Sequence, residues 1–347
     1  GPGAVSDLPR GGNKYCFPEW SDKLEQVFPR SEFAYANYNH WMDATHGSSD
    51  AEVSLPTHSK LVAVPKTMKG PRLIASEPVS NQWCQQAIKD FLERRVSASF
   101  LSKSIHFRDQ TQNQEFALQA SRSGSHMTID LSSASDSVSL RHVERMWGAN
   151  PSLLRALMAV RTEYVYNRVL KPRVKTLEDI KLRMFTTMGS AVTFPNQTYL
   201  YALVCVAAGM VYEGLPRKRW ALEGCASRIT VFGDDIIVPT DWGSLVLEFL
   251  LTLGFRVNTS KTFGKGRFRE SCGVDAYNGY NVTPIYAKQP PVRVRPASIE
   301  SCVESSNNFH RSGFWITANY ISEATNKAGF RAIPVVAMDS GSMGRKS

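Results

Sequence analysis

The sequence predicts an α+β fold in which small antiparallel sheets are backed by helices. Three observations carry that expectation. Residues 228–238 read as two short β-branched runs around Gly233-Asp234-Asp235, the pattern of a hairpin closed by a Gly-led turn. Residues 268–274 and 281–287 read as a further pair of strands. Between these strands lie segments of helical spacing. Residues 78–96 carry Trp83, Ala87, Phe91 and Leu92 on one face, Pro195 suits the first turn of a helix running to about Val211, and residues 242–253 end at Gly254.

The remaining elements follow in chain order. Residues 1–58 are rich in Gly, Pro and aromatics with weak periodicity, so an irregular region with a short helix near 21–27 is expected. A strand at 60–64, the basic loop Pro65-Lys66-Thr67-Met68-Lys69-Gly70-Pro71 and a strand at 72–75 come next. A short strand at 127–131 runs into Ser132-Ser133-Ala134-Ser135-Asp136-Ser137, and helices are expected at 140–147 and 152–160. Strands at 164–169 and 182–186 flank a basic turn with Lys171, Arg173 and Lys175. The tail from Ala337 is small and polar, and is expected to be disordered. No internal repeat is visible.

At 347 residues, 42% hydrophobic, the chain can bury a large core in one extended domain or two to three subdomains. Its formal charge of +10 points to a polyanionic partner, most often nucleic acid. The six cysteines form no CxxC pair, which argues against a zinc ribbon or a disulfide framework and fits a reducing compartment. The uncharged stretch 184–212 is interrupted by Pro195, Asn196, Gln197 and several Thr, so a loop and a buried helix are expected rather than a membrane span. The chain opens Gly1-Pro2-Gly3 without Met, as a fragment or processed product would.

Two adjacent carboxylates at a hairpin tip are costly unless a positive group joins them, and a divalent metal is the usual one. Asp130 closes the strand Met127-Thr128-Ile129, and Asp136 follows past a run of small residues that let a substrate approach. A strand-end carboxylate on a neighbouring strand would make three around a metal pair, as phosphoryl transfer needs. The plainer alternatives are a surface turn at Asp234 and Asp235 and a capping aspartate at Asp130.

Thr128-Ile129-Asp130-Leu131-Ser132-Ser133-Ala134-Ser135-Asp136-Ser137-Val138-Ser139 resembles motif A of the RNA-directed RNA polymerases of leviviruses, the positive-strand RNA bacteriophages. Gly233-Asp234-Asp235, about a hundred residues later, resembles motif C. Phe268-Arg269-Glu270-Ser271-Cys272-Gly273 resembles the segment after motif D. The resemblance spans residues 60–289. It implies a right-hand polymerase with palm, fingers and partial thumb: an N-terminal part of the fingers at 1–58, fingers with basic motif F at 59–126, a palm at 127–290 with a fingers insertion near 150–183, and a partial thumb with the tail at 291–347.

By the same resemblance, Asp130, Asp234 and Asp235 correspond to the palm carboxylates that hold two Mg²⁺ ions (or Mn²⁺), with Asp235 a partial or indirect ligand. Asp136 corresponds to the residue that recognises the ribose 2′-hydroxyl. Thr187-Met188-Gly189-Ser190-Ala191-Val192-Thr193-Phe194 resembles motif B. That makes Gly189, Thr193 and Asn196 substrate-binding candidates, with Gln197 beside Asn196; phage relatives carry acidic residues in that neighbourhood. Lys66, Lys69 and Arg72 resemble motif F, with Glu77 and Pro78 closing it, and Lys261 resembles the motif D lysine, a general acid for the leaving pyrophosphate.

Residues 60–108 hold nine Lys/Arg against three Asp/Glu, and 256–295 hold eight against two. The first stretch suits triphosphate entry and the second suits a nucleic-acid backbone, with binding that weakens as salt rises. The implied activity is template-directed RNA synthesis replicating a viral positive-strand genome in a bacterial host cytoplasm. Its partners would be RNA template and product, NTPs and, by family, elongation factors Tu and Ts and ribosomal protein S1. No membrane is involved. Only 65 residues precede Lys66 and 74 follow Gly273, fewer than in family members, as in either a truncated replicase or a shorter, divergent branch. Plant and fungal ourmia- and narnavirus-like polymerases share a similar Lys-Gly-Pro-Arg segment, but the serine-rich motif A favours the phage branch. The rival functions are a reverse transcriptase or other palm polymerase, and a non-catalytic RNA-binding relative.

Overall fold

The computed structural model describes residues 4–346 except 10, 11, 13, 16, 36, 46–57, 68, 69, 168, 170–178, 330–332, 338 and 339. The chain divides into two compact units, Gly1–Asn281 and Val282–Ser347. The basic turn expected around Lys171, Arg173 and Lys175 lies outside the described residues.

The core of the first unit is a three-stranded antiparallel sheet in the order His126–Ile129, Asp235–Pro239, Thr230–Phe232. Val231, Ile236, Ile237 and Val238 are buried at its centre, and Ile129 pairs with Ile236. Phe232 pairs with Asp235, which leaves Gly233 and Asp234 as a two-residue turn. Gly233 has φ +64°, and a Cβ there would sit 2.7 Å from the Phe194 ring, so backbone angle and packing both demand glycine.

The helix Thr193–Tyr212 backs this sheet and is buried on nearly every side. Such a helix needs no amphipathic stripe, and its sequence shows none. It packs against the helix Gly243–Thr252 and against Trp242, whose ring lies where a side chain on Gly209 would stand.

A second antiparallel sheet comprises Phe268–Ser271, Val274–Tyr277 and Tyr280–Asn281. Here the structure corrects the expected single strand over 268–274 and its partner at 281–287. The chain reverses at Cys272 and Gly273, with φ of +48° and +76°, so 268–271 pairs with 274–277. The helix Thr111–Ser123, for which no helical pattern was read, bridges the two sheets, with Ala117 packed among Ile237, Val274 and Ala276. Arg269 is fully buried and ties the sheets together, donating to the carbonyls of His126 at 2.6 Å and Gly266 at 3.2 Å.

A third sheet runs Gly70–Ser76, His58–Thr67, Tyr164–Tyr166, Asp179–Lys181. The strand expected at 182–186 is replaced by one three residues earlier. The physical reason is Arg161, whose guanidinium takes the carbonyls of Leu182, Met184 and Phe185 and so occupies acceptors that a ladder would use.

The second unit is a helical hairpin, Pro296–Arg311 and Trp315–Lys327, followed by short parallel strands Val335–Val336 and Arg345–Lys346. The tail expected to be disordered is therefore pinned in its described part. The buried Asn307 amide donates to the Gly344 carbonyl at 2.9 Å and accepts from the Lys346 N–H at 3.0 Å. Among the described residues, no helix is long and apolar enough to cross a membrane.

Gly209→Ala should destabilise the first unit by about 1–3 kcal/mol through overpacking against Trp242. A lowered urea midpoint with altered tryptophan fluorescence is the expected result.

Candidate active site

The two ends of the central sheet's inner strands set the site. Asp130 follows Ile129, and Asp235 precedes the Ile236 that pairs with it. Asp234 lies in the turn and Asp235 is the first residue of the strand that follows. Asp130, Asp136 and Asp234 line a cleft of about 470 Å³. Asp235 does not line it.

Asp130 is anchored on one side. Its Oδ2 accepts from Asn258 Nδ2 at 2.7 Å, its N–H donates to Thr262 Oγ1 at 3.3 Å, and its carbonyl accepts from the Asn258 N–H at 2.9 Å. Burial holds its pKa above the ordinary value, and the charges of Asp234 and Glu270 add to this against the pull of Asn258 and Lys261. Asp136 is exposed at the cleft, partial desolvation raises its pKa, and its carboxylate has no protein partner among the described residues. It presents acceptors to the cleft that no described residue takes.

Asp235 turns away into the reversal of the second sheet. Its Oδ1 accepts from the Cys272 N–H at 3.1 Å and Ser271 Oγ at 3.4 Å, and the Cys272 thiol lies 3.6 Å from Oδ2. The helix Thr111–Ser123 supports that reversal. Asn113 donates to the Asp235 carbonyl and to Ser271 Oγ, both at 3.4 Å, and Gln114 donates to the Cys272 carbonyl at 2.9 Å. Burial, foremost, pushes Asp235 up to about 6, with Asp234 and Asp130 adding repulsion.

Lys261 lines the cleft, but its ammonium donates to Glu270 Oε1 at 2.7 Å, a bond that raises its pKa. Arg72 reaches the cleft from the opposite wall, with Leu73 and Met188. Gly189 adjoins that wall: its φ is +123°, and a Cβ there would lie 2.0 Å from the Ala75 carbonyl oxygen. Thr193 and Asn196 lie elsewhere. Thr193 is buried, donating to the Thr187 carbonyl at 2.7 Å. Asn196 is fully buried, its amide donating to the Val192 carbonyl and accepting from Trp147 Nε1, each at 2.7 Å. The side chain of Lys66 and the whole of Lys69 fall outside the described residues.

Sequence reasoning did not assign Asn258, Glu270, Cys272 or Gln197 to the site. Gln197 is buried beneath it and accepts from Ser135 Oγ at 3.0 Å. The Cys272-Gly273 pair is the turn signal that would have exposed the hairpin behind Asp235.

The donor set is oxygen only, which suits a hard divalent cation. Mg²⁺ binds through one or two carboxylates while substrate phosphates and water complete its shell. Asp130 and Asp234 fit that description. Among the described residues, no three His, Cys, Asp or Glu side chains form a ready-made cage.

The profile of the family described as RNA replicase, beta-chain, matches residues 20–300. The chain is 36% identical to the RNA-directed RNA polymerase beta chain of Escherichia phage MS2 over 240 residues, which is 69% of this chain and 39% of that protein. It is 35% identical to the RNA-directed RNA polymerase subunit beta of Escherichia virus Qbeta over 259 residues, 75% of this chain and 39% of that one. With that of Enterobacteria phage SP the identity is 33% over 275 residues, 79% and 43%. The chain thus spans about two-fifths of the length of these relatives.

The pKa of Asp235, about 6, lies above the ordinary 3.8, so the folded chain binds this proton more tightly than the unfolded one. Its contribution to stability is complete below pH 3.8 and is lost as pH rises through 6. In divalent-free buffer, Asp235→Asn should therefore raise stability by roughly 1–3 kcal/mol at pH 8 and leave it nearly unchanged at pH 4, as read from urea melts.

Proposed function

The chain belongs to the RNA replicase beta-chain family, and on that premise we propose that it carries the catalytic core of an RNA-directed RNA polymerase. The observation that carries this reading is one cleft lined by Asp130, Asp234 and an unpartnered Asp136, with Lys261 and Arg72 around it. The reaction is attack of an RNA 3′-hydroxyl on the α-phosphate of an incoming NTP.

In this reading Asp130 and Asp234 hold two Mg²⁺ ions, and Asp235 braces the pair from behind. When bound, the ions favour ionisation of the attacking hydroxyl and neutralise charge on the departing pyrophosphate. The chain's own groups do the rest. The Asn258 amide holds the Asp130 carboxylate, and Thr262 fixes the Asp130 backbone N–H. Asp136 accepts a hydrogen bond from the ribose 2′-hydroxyl, so a 2′-deoxy substrate covers that carboxylate and leaves it unpaired. Lys261 exchanges Glu270 for the β- and γ-phosphates, where its ammonium can protonate the leaving group. Half-exposed ion pairs are weak, which makes that exchange inexpensive. Arg72 supplies charge from the facing wall.

The same proposal assigns a palm to the two sheets with their aspartates, fingers to the sheet around Gly70–Ser76, and part of a thumb to the helical hairpin Pro296–Arg311 and Trp315–Lys327. RNA template and product, NTPs and a bacterial cytoplasm complete it. Elongation factors Tu and Ts and ribosomal protein S1 enter on family resemblance alone.

Asp234→Asn should lower nucleotide incorporation by at least about 10³-fold, measured as radiolabelled NMP added to a template in folded protein, because several kcal/mol of transition-state charge stabilisation are lost. Incorporation equal to wild type would refute the assignment. Asp136→Ala should cut discrimination of NTP over dNTP by about 10–100-fold, the value of one hydrogen bond to a charged acceptor. Single-nucleotide extension with each substrate measures it.

A further inference from the structure

We propose that Glu77 and Gln85 are positioning residues that seat the 187–191 loop against the wall of the cleft facing the incoming nucleotide. The proposal deepens the polymerase reading and rests on it for its consequence, though not for its geometry.

The loop is held from outside. Met188 lines the cleft, and its carbonyl accepts from the Ala75 N–H at 2.8 Å. Gly189 lies on the Ala75 carbonyl so closely that no side chain fits. Downstream, the Ala191 N–H donates to Gln85 Oε1 at 3.1 Å, while Gln85 Nε2 donates to the Val160 carbonyl at 3.0 Å. Upstream, Arg161 grips the carbonyls of Leu182, Met184 and Phe185. Two hydroxyls of the loop, Thr187 Oγ1 and Ser190 Oγ, are buried without partners among the described residues. A loop carrying such unmet groups depends on its supports for its conformation.

Glu77 stands between the two supports and is 2% exposed. One carboxylate oxygen accepts from Thr162 Oγ1 at 3.2 Å, and the other has no hydrogen-bond partner among the described residues. The charged groups around this cluster are few. The charge of Arg161 acts on Glu77, and Glu163 lies 4.0 Å from Arg161. Lys23 donates to the Arg161 carbonyl and to Glu163, and Asp7 accepts from the Val79 N–H on the helix that follows Glu77. Burial pushes Glu77 up to about 7, against Thr162, Gln85 and the Arg161 charge. A neutral Glu77 leaves Arg161 to the carbonyls of Leu182, Met184 and Phe185, just upstream of the loop. An ionised Glu77 competes for it, so the seat loosens as pH rises through neutrality.

The test is hydrogen exchange of peptides covering 186–192 in the full chain, corrected for intrinsic rates, alongside KM and kcat for NTP. Gln85→Met should speed exchange of the loop by about tenfold, the effect of one lost hydrogen bond to a buried group, and raise KM with kcat little changed. Because Gln85 is buried, the second variant is Glu77→Gln, which keeps size and polarity. It should abolish the wild-type change in loop protection between about pH 6 and 8, which brackets the Glu77 pKa. Wild-type protection in Gln85→Met, or an unchanged pH dependence in Glu77→Gln, would overturn the proposal. Looser loops in a protein that incorporates no nucleotide would support the seating and sink the polymerase reading instead.

Discussion

The structure is organised around repulsion among three aspartates brought to adjacent strand ends. Asp130, Asp234 and Asp235 each carry the same charge, and burial removes much of the water that would screen them. Asp235 lies off the cleft that the other two line, and a separate cradle receives it: the Cys272 N–H, the Ser271 hydroxyl and, behind both, Asn113 and Gln114. Asp130 has its own donor in the Asn258 amide, while its backbone N–H is held by Thr262 Oγ1. These donors are neutral amides and hydroxyls, with Lys261 the cation at the rim. Neutral donors orient a carboxylate without cancelling its charge, so the negative field of the cleft is kept.

The two sheets and the helix between them follow from that need. The second sheet exists as a hairpin because Asp235 needs backbone N–H groups, and a reversal at Cys272 with left-handed φ presents one. Arg269, buried beneath, locks that hairpin to the strand that leads into Asp130. A disturbance at any of these joints should reach the aspartates through rigid, fully bonded elements rather than through loops.

Much of this was legible in the sequence, and the rest was hidden for definable reasons. The Gly233 hairpin was legible because β-branched runs flank a turn that needs a positive φ, and Asp130 because a strand ends on it. Which aspartate faces the cleft was not, since that depends on whether Asp235 falls in the turn or in the strand. The helix Thr111–Ser123 escaped because its buried positions are Asn113, Ala117, Ala120 and Ser121, small or polar groups that leave no hydrophobic period. The helical hairpin of the second unit is serine-rich for the same effect: Ser298, Ser305 and Ser306 are buried where apolar residues would have announced a face. Asn196 looked like a substrate contact by its neighbourhood. In a helix buried all round, its amide serves the interior, bonded to Trp147 and Val192.

The central claim is that Asp130 and Asp234 form one electrostatic site completed by a nucleotide and its metal ions. The direct measurement is Mn²⁺ binding followed by electron paramagnetic resonance, with and without NTP, in wild type and Asp130→Asn. The account predicts tight binding of two ions per chain in the presence of NTP, and at least about tenfold weaker binding in Asp130→Asn, the weight of one lost carboxylate ligand. Equal Mn²⁺ affinity and stoichiometry in the two proteins would contradict it.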